Sequence, residues 1–322
     1  MSIARQAATK LARLIGIVLI VSFLTFSLTK MLPGNPVQQI LQAEYNNTEL
    51  REAVEEKYGF DKPFLTQYWL FMKGVVTEQD LGRSYQQDIP TTTLISQRLP
   101  ATLQLLIMAQ LLSLLISIPL ALYSAYRANS RADKLITTGT FGMISLPAFA
   151  LAPFLVFVFA VQLGWFPAIG YDRITGPDGI GANLKSVALP VLVLTIGLTA
   201  VYTRLLRSDL IATLQEDFVM MARSKGLPTW HILLRHALRP SSFSLLTVFG
   251  LNFGALIGGA LIVESFFGIP GMGRLVAESI PRREYLVTQG TVLLIAVTFV
   301  VVNFITDLLY SLLDPRVRRA GA

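Results

Sequence analysis

Residues 207–240 read RSDLIATLQEDFVMMARSKGLPTWHILLRHALRP. Leu210, Ile211, Leu214, Phe218 and Met221 recur at helical spacing, and Gly226 with Pro228 then stops the helix. A second helix is predicted from about Thr229, carrying Ile232, Leu233, Leu234, Ala237 and Leu238. The unit is helix–Gly–helix, basic and amphipathic. Its flanks decide its setting. An apolar run, Val187–Leu206, precedes it and another, Ser241–Val263, follows. Each is about the 20 residues that a helix needs to cross a bilayer, so the loop between them lies at a membrane face. Two readings stay open from pattern alone. The unit is an interfacial helix lying among headgroups, or it docks on a partner through exposed anchors such as Phe218 and Met221.

Further out, the same logic finds four more spans. Leu14–Leu32 follows Arg5, Lys10 and Arg13 and resembles a secretory signal. No small-x-small cleavage pattern comes after it, so it reads as an uncleaved anchor. The others lie at about 101–124, 135–163 and 286–313, joining 187–206 and 241–263. Pro119, Pro147, Pro153 and Pro190 fall inside spans, where neighbouring helices or waters can satisfy the freed carbonyls. Composition agrees: of 322 residues, 53% are hydrophobic and only 15% charged, against about 25% charged in soluble domains. That leaves too little polar material to cover a globule and excludes a disordered chain, a nucleic-acid binder and a soluble enzyme.

The net charge of +7 has the same explanation. With the N-terminus inside, fifteen cations and five acids fall on the cytoplasmic side, and eleven cations and thirteen acids on the other. This satisfies the positive-inside rule. The expected fold is an all-α polytopic membrane protein with six transmembrane helices and both termini cytoplasmic. Residues 1–32 form a cytoplasmic segment and the first span, and 33–97 an extracytoplasmic subdomain. Residues 98–322 form a core with five spans and the cytoplasmic loop 207–240.

Within 33–97, Pro33–Pro36 (PGNP) signals a turn, and Asn47–Glu52 starts a helix with its acids at the N-terminal end. Tyr58-Gly59-Phe60 would cap that helix, and Pro63–Val75 is amphipathic and aromatic. This subdomain either docks a partner or covers the spans. Gly164–Ser186 reads mostly as turns. Glu264–Glu284 is too short for a span and is broken by Gly268, Pro270, Gly271 and Gly273, with a short helix over about Gly273–Ser279. It is a candidate outer gate, comprising Glu264, Phe266, Phe267, Gly268, Pro270, Gly271 and Gly273, or a plain connecting hairpin.

Chemistry of several kinds is missing. No G-x-x-x-x-G-K-[ST], H-E-x-x-H or G-x-S-x-G occurs, and there is no Cys. His231 and His236 are five apart and do not share a helix face. No catalytic residue and no metal site is predicted. Asn252, Asn303 and Asp307 are polar points within spans, fit to line a path or to bond helices together. A single intramembrane acid gives little support to a proton-driven carrier.

The stretch Asp217–Leu227 (DFVMMARSKGL), followed by Arg235–Pro240 (RHALRP), resembles the EAA loop of bacterial ABC-transporter permease subunits, in the dipeptide/oligopeptide/nickel branch. Aligned on Gly226, Met220, Met221 and Ala222 occupy the E-A-A positions, so the Glu is absent. Glu264–Gly273 (ESFFGIPGMG), Leu308–Arg318 (LLYSLLDPRVR), PGNP, Tyr58–Pro63 (YGFDKP) and Leu81–Tyr85 (LGRSY) match the same branch. The resemblance spans essentially the whole chain and implies a type I ABC importer permease fold in the bacterial inner membrane. It implies no cofactor in this chain, with ATP and Mg held by one or two partner ATPase subunits. It also implies a second homologous permease subunit and an extracytoplasmic binding protein that delivers peptides. The helix before Gly226 would be the coupling helix. Asp217, Arg223 and Lys225 would make charged contacts to the ATPase, Phe218 and Met221 would fill its groove, and Ala222, Gly226 and Leu227 would complete the motif. Nickel or another small solute is the alternative substrate within the family. Outside it stand a secondary carrier or channel and a membrane scaffold.

Overall fold

A computed structural model describes residues 3–31, 35–41, 44–177 and 179–313. Five of its helices are long and apolar enough to cross a membrane, and a bent pair makes a sixth span if counted as one. The first, α1 (Ile3–Met31), is apolar from Leu14 and mostly outward-facing. Among the described residues, α2 (Pro36–Leu41), α3 (Thr48–Tyr58) and α4 (Phe64–Lys73) follow, the last running into a π-helical stretch at Gly74–Glu78 before the next span. Helix α3 is capped as its sequence requires. The Asn47 side chain accepts from the Glu49 and Leu50 amides, and Gly59 closes the helix at φ +67°. Rings of α4 pack across α1, with Phe64 and Tyr68 against Phe23 and Phe26.

The core is the pairing of α5 (Thr91–Tyr126) with α8 (Gly179–Thr213). Ala109, Ser113, Ser117 and Ala121 recur every four residues on α5 and are fully buried. This stripe of small residues lets the helix backbones approach closely. Between them, α6 (Arg131–Ser145) and α7 (Ala148–Leu155) are bent by 100° at Pro147, so the span expected at 135–163 is not one straight helix. The residue before a proline is pushed out of the helical region, and Leu146 is extended at ψ 108°. A π-helical stretch, Val156–Gln162, completes the pair.

The loop after α8 also departs from expectation. Leu210 and Ile211 belong to α8 itself, because fully buried Leu210 joins the main apolar core. A turn at 214–216 breaks the single helix expected through Met221. A separate helix, α9 (Asp217–Ser224), then starts behind Glu216 with Asp217 in its first turn, where negative charge suits the helix dipole. Likewise, residues 179–186, expected as turns, form the first part of α8, and α5 begins at Thr91 rather than near 101.

A short α10 (Thr229–His231) continues through π-helical turns at Ile232–Ala237 into α11 (Leu238–Gly259). The chain then breaks at Ala260 into α12 (Leu261–Phe267), α13 (Met272–Ser279) and the last span, α14 (Tyr285–Leu313). Helices α11 and α14 pack tightly. A Cβ on Gly254 would lie 2.6 Å from the Phe299 ring, and one on Gly250 would overlap Thr306. The residues of the closing motif beyond Leu313, and Pro33 and Gly34 of PGNP, lie outside the described residues.

Candidate functional site

Helix α9 has two faces. Val219 and Ala222 are buried against Ile232, with Leu214 and Leu227 packed around them. Asp217, Phe218, Met221, Arg223 and Lys225 are exposed, with Phe218 at 45%. Ala222 and Leu227 therefore support the helix from within and do not belong to its outer face. Met220, aligned with the motif but given no contact role from the sequence, is 61% exposed and does. Among the described residues no ion pair engages Asp217, Arg223 or Lys225. The outer face thus combines free charge of both signs with uncovered Phe and Met side chains.

Gly226 ends this helix. The Gly226 amide donates to the Arg223 carbonyl at 2.9 Å, and the Leu227 amide to the Ala222 carbonyl at 3.4 Å. This is the Schellman arrangement, which places its glycine in the left-handed region; Gly226 has φ +75°. A Cβ there would meet nothing within 4 Å, so backbone conformation alone demands glycine.

A polar cluster centred on Asp133 ties α5, α6 and α8 together. Asp133, 3% exposed at its side chain, receives a two-pronged contact from Arg207: Nε to Oδ1 at 2.6 Å and Nη2 to Oδ2 at 2.7 Å. Ser124 Oγ donates to Asp133 Oδ1, and the Asn129 amide to Oδ2 at 2.8 Å. Ser130 Oγ accepts from the Asp133 amide and caps α6. One carboxylate thus joins the end of α5, the start of α6 and the last third of α8, ten residues before Asp217. Ser241 Oγ bonds Thr213 Oγ1 at 2.9 Å and ties the end of α8 to α11. Ser130-x-x-Asp133 has capping-box spacing, a signal that could have marked the turn, but nothing local marks Arg207 as its partner.

At the opposite end, the candidate gate residues form a packed knot. Glu264 is fully buried. Its carboxylate accepts from Thr102 Oγ1 at 2.6 Å and from the Arg274 amide at 3.0 Å, at the start of α13. A Cβ on Gly271 would overlap that carboxylate, and one on Gly273 would lie 2.6 Å from the Leu261 backbone. Gly268 closes α12 at φ +71°, Phe267 is buried, and Phe266 faces outward. Pro270 lies in the turn between α12 and α13.

Glu284, which sequence reasoning passed over, fastens the 33–97 segment. It accepts from Ser84 Oγ at 2.7 Å and from the Tyr85 and Gln86 amides at 2.8 and 2.9 Å. Burial and the Glu284 charge push the Tyr85 hydroxyl well above the ordinary tyrosine range, so it stays neutral.

Of the three intramembrane polar positions, Asn252 and Asn303 can be placed, and no hydrogen bond joins them. Asn252 donates to the Tyr202 hydroxyl at 3.3 Å, which donates to Gln110 Oε1 at 2.6 Å, linking α11, α8 and α5. Asn303 Oδ1 is buried without a hydrogen-bond partner among the described residues. The Asp307 side chain lies outside the described residues. Among the described residues no group of His, Asp and Glu could hold a metal ion.

These features define a multi-pass helical membrane subunit that presents a small, charged, Met- and Phe-bearing helix at one end. The comparisons identify the class. Residues 117–319 match the family described as binding-protein-dependent transport system inner membrane component, and residues 5–106 match that system's N-terminal membrane component. The chain belongs to this family of multi-pass inner-membrane permeases. It is 34% identical to the glutathione transport system permease protein GsiC of Shigella flexneri, over 95% of this chain and 97% of that one. It is 33% identical to the dipeptide transport system permease protein DppB of Alkalihalophilus pseudofirmus, over 97% and 98%. Among solved structures, the MetNI methionine ABC transporter in inward-facing conformations superposes with a TM-score of 0.55 at 14% identity. That match covers 69% of this chain and 96% of the other, and it shows a shared ABC permease fold.

Proposed function

We propose that this chain is one of two membrane-spanning subunits of an ATP-driven importer of short peptides. In this reading, α9 is its contact with a cytoplasmic ATPase. The observation that carries it is the uncovered outer face of α9. Phe218, Met220 and Met221 stand exposed on a helix whose other side is anchored in the bundle, flanked by unpaired Asp217, Arg223 and Lys225. Exposed anchors on a rigid helix suit helix-in-groove docking. Glutathione and dipeptide in the relatives' names support a short-peptide substrate, and the cation asymmetry supports placing both termini and α9 in the cytoplasm.

ATP and Mg would then be bound by partner subunits, and this chain would do no chemistry of its own. Closure of the ATPases would move α9 together with α8 and α11, and the spans would switch between two arrangements. An extracytoplasmic binding protein would deliver the peptide on the 33–97 side, and a second homologous permease would complete the pathway. The test is transport in vesicles carrying the whole system. Arg223→Glu should leave the chain in the membrane and abolish ATP-dependent peptide uptake, and undiminished uptake would refute the assignment of α9.

A further inference from the structure

A cavity of about 410 Å³ lies where α1 ends and α14 begins, a size within the ordinary range of small-ligand sites. Its position is set by its walls. Lys30 is the penultimate residue of α1, and Tyr285, Leu286 and Gln289 lie in the first turns of α14. Two span ends therefore meet here, at headgroup level. The surroundings are lipid-facing. Leu24 and Leu28 on α1 are exposed, and α4, which packs on α1, exposes Leu65 and Trp69.

The walls combine charge with aromatic surface. The Lys30 ammonium stands 4.9 Å from the Phe60 ring centre and 5.7 Å from that of Phe26, and no carboxylate pairs with it among the described residues. Lys57, Lys62 and Arg83 also line the cavity, opposed by only Glu56 and Asp80. Arg83 is engaged by Asp88, and Asp80 accepts the Gly82 amide at 2.8 Å. Gln289, 2% exposed, is one of the lining residues, and its amide nitrogen has no hydrogen-bond partner among the described residues. A buried amide without an acceptor is costly, and an unpaired ammonium in the wall of the same cavity calls for an anion.

We infer that this cavity seats the phosphodiester headgroup of a phospholipid from the leaflet on the 33–97 side. Lys30 pairs with the phosphate, Gln289 supplies a second donor, and the acyl chains run along the apolar surface of α1 and α4. The excess of cations fits the phosphate, and the exposed apolar surface continuous with the cavity favours a lipid over a soluble anion. This site is independent of the importer assignment, because it rests only on the chain's place in a bilayer.

Native mass spectrometry of the full-length protein, purified from membranes with whatever subunits accompany it, tests the inference. Phosphatidylglycerol and phosphatidylethanolamine are added separately, with excess inorganic phosphate or a dipeptide as competitor. Wild type and Lys30→Arg should each retain one lipid per chain. Lys30→Glu and Gln289→Leu should retain it about tenfold more weakly, which corresponds to one charge-assisted hydrogen bond, and neither competitor should displace it. Equal retention by all variants would overturn the site. Displacement by phosphate would make it a soluble-anion site, and displacement by the dipeptide a substrate site, and either overturns the lipid. If Lys30→Glu fails to insert, Gln289→Leu against wild type carries the comparison.

Discussion

Gly226 is the residue whose role is most sharply defined, because its constraint is conformational and nothing else. Its φ of +75° with open space around it means that Gly226→Ala should introduce no clash and cost about 1 kcal/mol of backbone strain. The variant should insert normally while the end of α9 shifts and ATPase association weakens several-fold in a pull-down. Unchanged association would show that the exit angle of α9 is unimportant. Asp133 differs, since its role is held by partners. Asp133→Ala leaves the Arg207 guanidinium without its carboxylate. Removing one member of a buried ion pair costs about 3–5 kcal/mol, and the 24% exposure of Arg207 places this case at the low end. A fall of several degrees in the thermal midpoint of the purified protein checks it, and an unchanged midpoint would reduce the cluster to decoration. Arg207→Lys should recover only part of the loss, because an ammonium cannot reproduce the two-pronged contact.

At the scale of elements, the apolar periodicity that located the spans carried no information about how they meet. Apolar runs of about 20 residues were plain in the sequence because lipid demands them. The bend at Pro147 was legible only as a proline inside a run. The split of α8 from α9 was hidden because Leu210 and Phe218 share a helical period although they belong to different helices. The fasteners were harder still. Ser84 and Glu284 are 200 residues apart, and Asp133 and Arg207 are 74 apart. Such pairs leave no local pattern, and each residue alone reads as an ordinary polar surface position. Glu284→Gln should loosen the hold on the 33–97 segment, seen as faster amide exchange at Tyr85 and Gln86. Exchange rates equal to wild type would show that the segment is held elsewhere. Gly254→Leu should force α11 off Phe299 of α14. The chain has no cysteine, so a pair placed one on each helix reports on this directly through lost cross-linking.

Over the whole molecule, the two ends are built for different work. One end is knotted: Glu264 and Glu284 satisfy backbone amides, and glycines allow contacts too close for any side chain. The other end is open, with α9 anchored through Val219 and Ala222 while its opposite face stands exposed among the described residues. A core of α5 on α8 joins them, with the Gln110–Tyr202–Asn252 chain of hydrogen bonds at its middle. The contact of α9 with Ile232 leads into α11, and the turn at 214–216 joins it to α8, one of the two longest helices of the bundle. The most direct measurement is peptide uptake by vesicles containing the complete system, with wild type compared with Arg223→Glu, in the presence of ATP and then of an uncoupler. Uptake should require ATP, withstand the uncoupler, and vanish in the variant although the protein remains in the membrane. Uptake that survives ATP depletion and collapses with the uncoupler would contradict the account.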